Sequence, residues 1–137
     1  MASKYIIDTH ALIWYLEGNP RLGLQAKTIM STANSDMVFP LIALAEAAIL
    51  IQKGRIHIPT VGDLLADIAG DDRIEIYPLT FDIFERSLSA EGLQIPELHD
   101  RFIVSTGLHL QDLGHSVSIL TRDQSITAAS VLSVIWD

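Results

Sequence analysis

Glu46 occupies a setting that ordinary folding does not readily explain. It lies in Leu41-Ile42-Ala43-Leu44-Ala45-Glu46-Ala47-Ala48-Ile49-Leu50-Ile51, where ten of the eleven residues are apolar. On a helix its neighbours are Ile42, Ile49 and Leu50, so its carboxylate projects from an apolar face. A helix apolar on nearly every side is normally buried. A buried carboxylate is costly unless it is paired, hydrogen-bonded or bound to a metal. The plain alternative is a solvent-facing strip bordered by Ala43, Ala45 and Ala47. Three aspartates bear on the choice. Asp8 follows Tyr5-Ile6-Ile7, Asp100 opens an apolar helical stretch, and Asp123 stands just beyond Val117-Ser118-Ile119-Leu120. Each aspartate could simply cap a helix. Together with Glu46 they suit one oxygen-rich site for a hard divalent cation, Mg²⁺ or Mn²⁺. Without a counterion, four converging carboxylates repel one another and their pKa values rise. Mg²⁺ is typically held by one or two carboxylates together with waters and phosphate. A site of that kind activates water and stabilises charge on a phosphodiester. The chemistry is then metal-assisted hydrolysis, with no covalent nucleophile.

Strands and helices alternate along the chain in a way that can bring these acids to one edge. Tyr5-Ile6-Ile7 reads as a buried strand ending at Asp8, and His10–Leu16 as a helix stopped by Glu17-Gly18-Asn19-Pro20. Helical spacing through Leu22, Ala26, Ile29 and Met30 leads to a second strand, Met37-Val38-Phe39. Pro40 suits the first turn of the Glu46 helix, which ends at Lys53-Gly54. Thr60 and Asp63 resemble a capping box, followed by an apolar face of Leu64, Leu65 and Ile68. Ile74–Tyr77 alternates as a half-exposed strand. Thr80–Leu88 forms an amphipathic helix with Phe81, Phe84 and Leu88 on one side. Glu97–Asp100 opens a helix over Arg101–Gln111. A strand over Val117–Leu120, a short helix over Gln124–Ala129 and a final strand over Val131–Trp136 complete the series. This alternation predicts an α/β fold around a mostly parallel sheet. Ligands of such sheets bind at the carboxyl ends of the strands, where Asp8 and Asp123 both fall.

The 137 residues suit one compact domain, and 49% hydrophobic against 19% charged residues is a globular composition. No apolar run is long enough to span a bilayer. With no cysteine there is neither a disulfide framework nor a thiolate metal site. The expectation is a soluble cytoplasmic protein. Nine basic residues against 17 acidic ones leave a net charge of −8. Such a surface does not advertise general affinity for nucleic acid, unless bound cations offset some of the acids or a basic partner covers them.

At these acids the chain also resembles a known family. Ile7-Asp8-Thr9-His10-Ala11-Leu12-Ile13-Trp14 is similar to the opening signature of PIN-domain ribonucleases, especially the VapC-type toxins of type II toxin–antitoxin pairs. Glu46, within Leu44-Ala45-Glu46-Ala47, falls where that family carries a helical glutamate. His99-Asp100-Arg101-Phe102-Ile103-Val104-Ser105-Thr106 resembles its third motif, and Leu120-Thr121-Arg122-Asp123 its fourth. The resemblance covers essentially the whole chain. It implies a single PIN-like domain over 1–137, an α/β/α sandwich with a mostly parallel central sheet flanked by helices. It also implies an Mg²⁺- or Mn²⁺-dependent endoribonuclease that cuts RNA, with Asp8, Glu46, Asp100 and Asp123 as catalytic and metal-binding residues. A homodimer and a small cognate antitoxin over the active site are implied as partners, with no membrane. One departure is charge: Arg101 and Arg122 adjoin the site as candidate substrate contacts, but no lysine follows Lys53.

Around the four acids, Thr121 either orients a ligand or water through its hydroxyl or makes ordinary turn bonds. For Thr9, helix capping is the expected role. His10 and His99 flank the acids, but a hard-cation site does not need histidine. They are expected to be structural or substrate-positioning. Glu97 is expected as an exposed first-turn acid, and Trp14, Tyr15, Phe102 and Trp136 as core or dimer contacts. Two rival functions remain. A phosphoacceptor domain also gathers aspartates at strand ends, but the receiver family it resembles uses a lysine after a late strand, and none is present here. A non-cleaving PIN-like RNA- or protein-binding module is the second.

Overall fold

The computed structural model describes residues 3–137. Five strands, β1 (Ser3–Ile7), β2 (Asp36–Pro40), β3 (Ile74–Tyr77), β4 (Ser116–Leu120) and β5 (Ser133–Ile135), form one sheet in the order β3-β2-β1-β4-β5. Every pairing is parallel. Parallel strands need crossover connections, and helices supply them. These are α1 (Thr9–Glu17), α2 (Leu24–Ser31), α3 (Leu41–Gln52), α4 (Val61–Ala69), α5 (Phe81–Ser87), α6 (Leu98–Asp112) and α7 (Gln124–Ala129). The helices flank the sheet as in a PIN-like α/β/α sandwich, which agrees with the expected fold class.

Ile6, Ile7, Val38, Phe39, Ile119 and Leu120 are fully buried, because helices cover the central strands on both faces. The strand order matters for function. The chain lays down β1, β2 and β3 toward one edge, then crosses back to place β4 beside β1. The crevice outside the carboxyl ends of β1 and β4 is therefore a topological switch point, the usual place for a ligand in such a sheet. The ladder reaches Ile7 opposite Leu120, and the Asp8 N–H continues it by donating to Leu120 O at 3.2 Å.

Several boundaries and faces differ from expectation, each for a local reason. Pro40 closes β2 and stands at the N-cap of α3 instead of in its first turn. Leu22 lies before α2, which begins after Gly23, where the Trp136 backbone passes so closely that a Cβ would overlap it. Leu65 is exposed while Leu64 and Ile68 are buried. In α5 the expected apolar face is reversed. Phe81, Phe84 and Leu88 are exposed, Ile83 and Ser87 are buried, and α5 packs on α6. Helix α6 starts at Leu98 with Glu97 as its cap, its carboxylate accepting from Asp100 N–H at 2.8 Å. The last strand covers only Ser133–Ile135.

Two glycines give opposite expectations. Gly23→Ala should cost about 1–3 kcal/mol through overpacking against Trp136. Gly62→Ala, in the open first turn of α4, should gain about 0.5–1 kcal/mol. Urea unfolding of the two variants checks this; equal effects would contradict the close approach at Gly23.

Candidate active site

Asp8 ends β1 and caps α1, with an extended backbone (φ −70°, ψ 159°). Its Oδ1 accepts the Thr9 N–H at 2.7 Å, and its Oδ2 accepts the Thr121 hydroxyl at 2.6 Å. Thr121 follows β4 and is buried. With its proton committed to Asp8, its Oγ1 accepts the Asp123 N–H at 3.0 Å. Asp123 caps α7, its Oδ1 accepting the Ile126 N–H at 3.0 Å. On the other side, the buried Thr9 hydroxyl donates to Glu46 Oε1 at 3.1 Å. Glu46, Thr9, Asp8, Thr121 and Asp123 thus form one hydrogen-bonded series linking α3, α1 and the β4–α7 turn. Each carboxylate oxygen in it keeps lone-pair capacity for a further partner.

Glu46 is neither deeply buried nor on a free solvent strip. Helix α3 buries Ala43, Ala47 and Ile51 and exposes Leu41 and Ile49. The Glu46 side chain lies at the border, 30% exposed. Burial pushes its carboxyl above the ordinary value, while the Thr9 hydroxyl and His99 pull it down. His99 Nδ1 is 3.9 Å from Glu46 Oε2, too far for a hydrogen bond, and 2.9 Å from Glu97 Oε1. Burial likewise raises the Asp8 carboxyl, against the hydrogen bonds from Thr121 and Thr9.

Asp100 differs from the other three. It occupies the first turn of α6, which Glu97 caps, so capping does not explain its carboxylate. Among the described residues that carboxylate accepts no hydrogen bond. Burial, followed by the charges of Asp123, Asp8, Glu97 and Glu46, pushes it up to about 7. The charges of the other three candidate acids thus all act on Asp100.

The donor set suits a hard cation. It consists of carboxylate and hydroxyl oxygens, and it carries a repulsion that a positive ion relieves. Among the described residues, no three acid or histidine side chains converge on one point as ligands. Asp8, Glu46, Asp100 and Asp123 would be the residues to hold such a cation, which would offset the repulsion among them.

Other candidates divide. Thr9 does not cap α1; Asp8 does, and the Thr9 hydroxyl serves Glu46. Thr121 makes both a turn bond and a bond to Asp8. Arg101 is turned away, its Nε donating to Ile95 O at 2.9 Å. Arg122 lines a cleft of about 430 Å³ together with Asp8, Thr121 and Asp123. Its guanidinium lies 4.4 Å from the centre of the Trp14 ring. Trp14 is buried as expected, yet it also stacks with His10 at 5.3 Å and meets Trp136 edge-on at 6.1 Å. Arg21, Arg55 and His57 line the same cleft. Sequence reasoning missed them, since they stand in connections with no local motif around them.

No family model matches the chain, and no curated protein matches it. Among solved structures, its fold is similar to that of a chain in a toxin–antitoxin complex from Klebsiella pneumoniae. The TM-score is 0.66 at 19% identity, over 98% of this chain and 96% of that one. At that identity the likeness is one of fold.

The raised Asp100 gives a signed pH effect. Its folded value of about 7 exceeds the ordinary 3.8, so its contribution to stability is complete at low pH and is lost as pH rises through about 7. In EDTA, Asp100→Asn should therefore gain stability relative to wild type as pH rises from about 4 to about 7, and hold that gain above it. Urea midpoints across that range measure it, and parallel profiles would contradict the crowding of charge at Asp100.

Proposed function

We propose that this chain is an Mg²⁺- or Mn²⁺-dependent endoribonuclease, the toxin of a toxin–antitoxin pair. The observation that carries the reading is the series Glu46–Thr9–Asp8–Thr121–Asp123 at the switch point of the sheet, with the crowded Asp100 beside it. The fold likeness to a chain of a toxin–antitoxin complex supports the toxin assignment, as does the motif resemblance across the chain. In this reading residues 1–137 are one PIN-like domain acting as a homodimer in the cytoplasm and held in check by a small antitoxin. No helix among the described residues is long and apolar enough to cross a membrane.

Asp8, Glu46, Asp100 and Asp123 would hold the cation. When bound, it supplies the charge that activates water and offsets negative charge on the phosphodiester. The chain's own contribution is orientation. Thr121 donates to one oxygen of Asp8 and the Thr9 N–H to the other, so this carboxylate cannot rotate without breaking both bonds. The Thr9 hydroxyl fixes Glu46 from the neighbouring helix. The α7 cap fixes Asp123 in the same way. Holding reactive groups in place before substrate arrives is how such a centre lowers a barrier. Arg122, beside Asp123 in the cleft, presents a guanidinium to substrate phosphate.

Purified protein incubated with mixed RNA should cut it in Mg²⁺, and should not do so in EDTA or as Asp8→Asn. Thr121→Val, which keeps the shape but loses the donor, should cut about 10–100-fold more slowly. Equal cleavage under all of these conditions would refute the metal mechanism. No cleavage of a broad RNA panel by wild type would favour the non-cleaving binding module.

A further inference from the structure

The chain carries six arginines, and their engagements separate them into two groups. Arg73 pairs with Asp71 at 2.7 Å and donates to Met30 O and Thr32 O. Arg86 pairs with Glu91 and Asp112, and Arg101 donates to Ile95 O. Among the described residues, Arg21, Arg55 and Arg122 enter no ion pair and donate no side-chain hydrogen bond. All three line the cleft that contains Asp8 and Asp123. In a protein of net charge −8, three guanidiniums without a side-chain partner in one concavity, beside the carboxylates of Asp8, Glu17 and Asp123, gather cations that the acidic surface as a whole does not offer.

Their placement is built by the fold. Trp14 is buried in α1 and carries Arg122 4.4 Å from its ring centre, with Arg21 at 5.9 Å. Both distances are within cation–π range. Arg55 follows Gly54, whose φ of 65° turns the chain out of α3. The connection that carries Arg55 is pinned to α1, because the His57 N–H donates to Glu17 Oε2 at 2.7 Å. Three separate connections thus deliver arginines to one cleft that also contains Asp8 and Asp123.

We infer that Arg122, Arg21 and Arg55 form a phosphate track for single-stranded RNA flanking the position of cleavage. This rests on the nuclease reading for the identity of its ligand. A polyanion that crosses the acidic end needs its neighbouring phosphates neutralised, and arginine matches phosphate geometry with paired donors. An acidic protein segment meets the same three carboxylates, Asp8, Asp123 and Glu17, without the cation that the nuclease reading places between those acids and a phosphate. Trp14 is 5% exposed, so it orients guanidiniums and does not stack bases. Phosphate contacts position a nucleic acid without reading its sequence, so this track grips RNA and leaves target choice to other surfaces.

The test uses the full chain as Asp8→Asn in Mg²⁺, with a fluorescein-labelled oligouridylate of about 12 nucleotides, within single-strand site sizes. Anisotropy titrations over a range of KCl give the slope of log affinity against log salt. Arg21→Gln, Arg55→Gln and Arg122→Gln should each make that slope shallower by about 0.7, and the triple variant by about 2. Lys27→Gln, at an exposed position of α2, should keep the parent slope. A triple variant with the parent's slope and affinity, or a parent that does not bind at low salt, would overturn the track. Cleavage separates the two proposals. Wild type that cuts mixed RNA while the triple variant cuts and binds equally well overturns the track and leaves the nuclease. Loss of slope in the variants, with no cleavage by wild type, supports the track and overturns the nuclease.

Discussion

The hydrogen bond from the Thr121 hydroxyl to Asp8 Oδ2, 2.6 Å long, is the contact on which the candidate site depends. It joins residues 113 positions apart, and it can form only because β4 returns to lie beside β1. A buried hydroxyl donating to a carboxylate is a charge-assisted bond, worth about 1.5–3 kcal/mol. The same hydroxyl accepts from Asp123 N–H, so one side chain sets two acids. The reversal of strand order, the parallel ladder and the helix caps all meet at this atom.

The site also carries an electrostatic debt that the fold does not discharge. Burial and neighbouring charges raise Asp100, and burial raises Asp8 and Glu46. Stability alone would not assemble four acids in this way, because replacing one of them removes repulsion. Grouping of this kind is characteristic of functional sites. The unpaired arginines nearby are the complementary half of the same arrangement. The overall charge of −8 argues against a general grip on nucleic acid, while a local grip requires only that a few cations remain unneutralised where the substrate lies.

Much of this was legible in the residues. Short β-branched runs ending at Asp8 and at Leu120 reveal both strands and their carboxyl ends, because parallel central strands must be apolar throughout. The short helix Gln124–Ala129 was delimited by Asp123, a strong cap. Other features required three dimensions. Glu97 and Asp100 stand three positions apart, and local spacing alone does not say that Glu97 caps α6 while the Asp100 carboxylate is left free. Periodicity identifies α5 as two-faced, but the packing of the helix on α6 decides which face is covered, and it is the face of Ile83. Arg21 and Arg55 lack any motif, since the loops that carry them converge only after the helices have packed.

The central claim is that Asp8, Glu46, Asp100 and Asp123 serve one divalent cation. Titration of Mn²⁺ into the purified protein, followed by electron paramagnetic resonance of the free ion, measures this most directly. Wild type should bind Mn²⁺, and Asp8→Asn, Glu46→Gln, Asp100→Asn and Asp123→Asn should each weaken binding by at least about ten-fold while remaining folded. Folded variants that bind Mn²⁺ as tightly as wild type, or a wild type that binds none, would contradict the account.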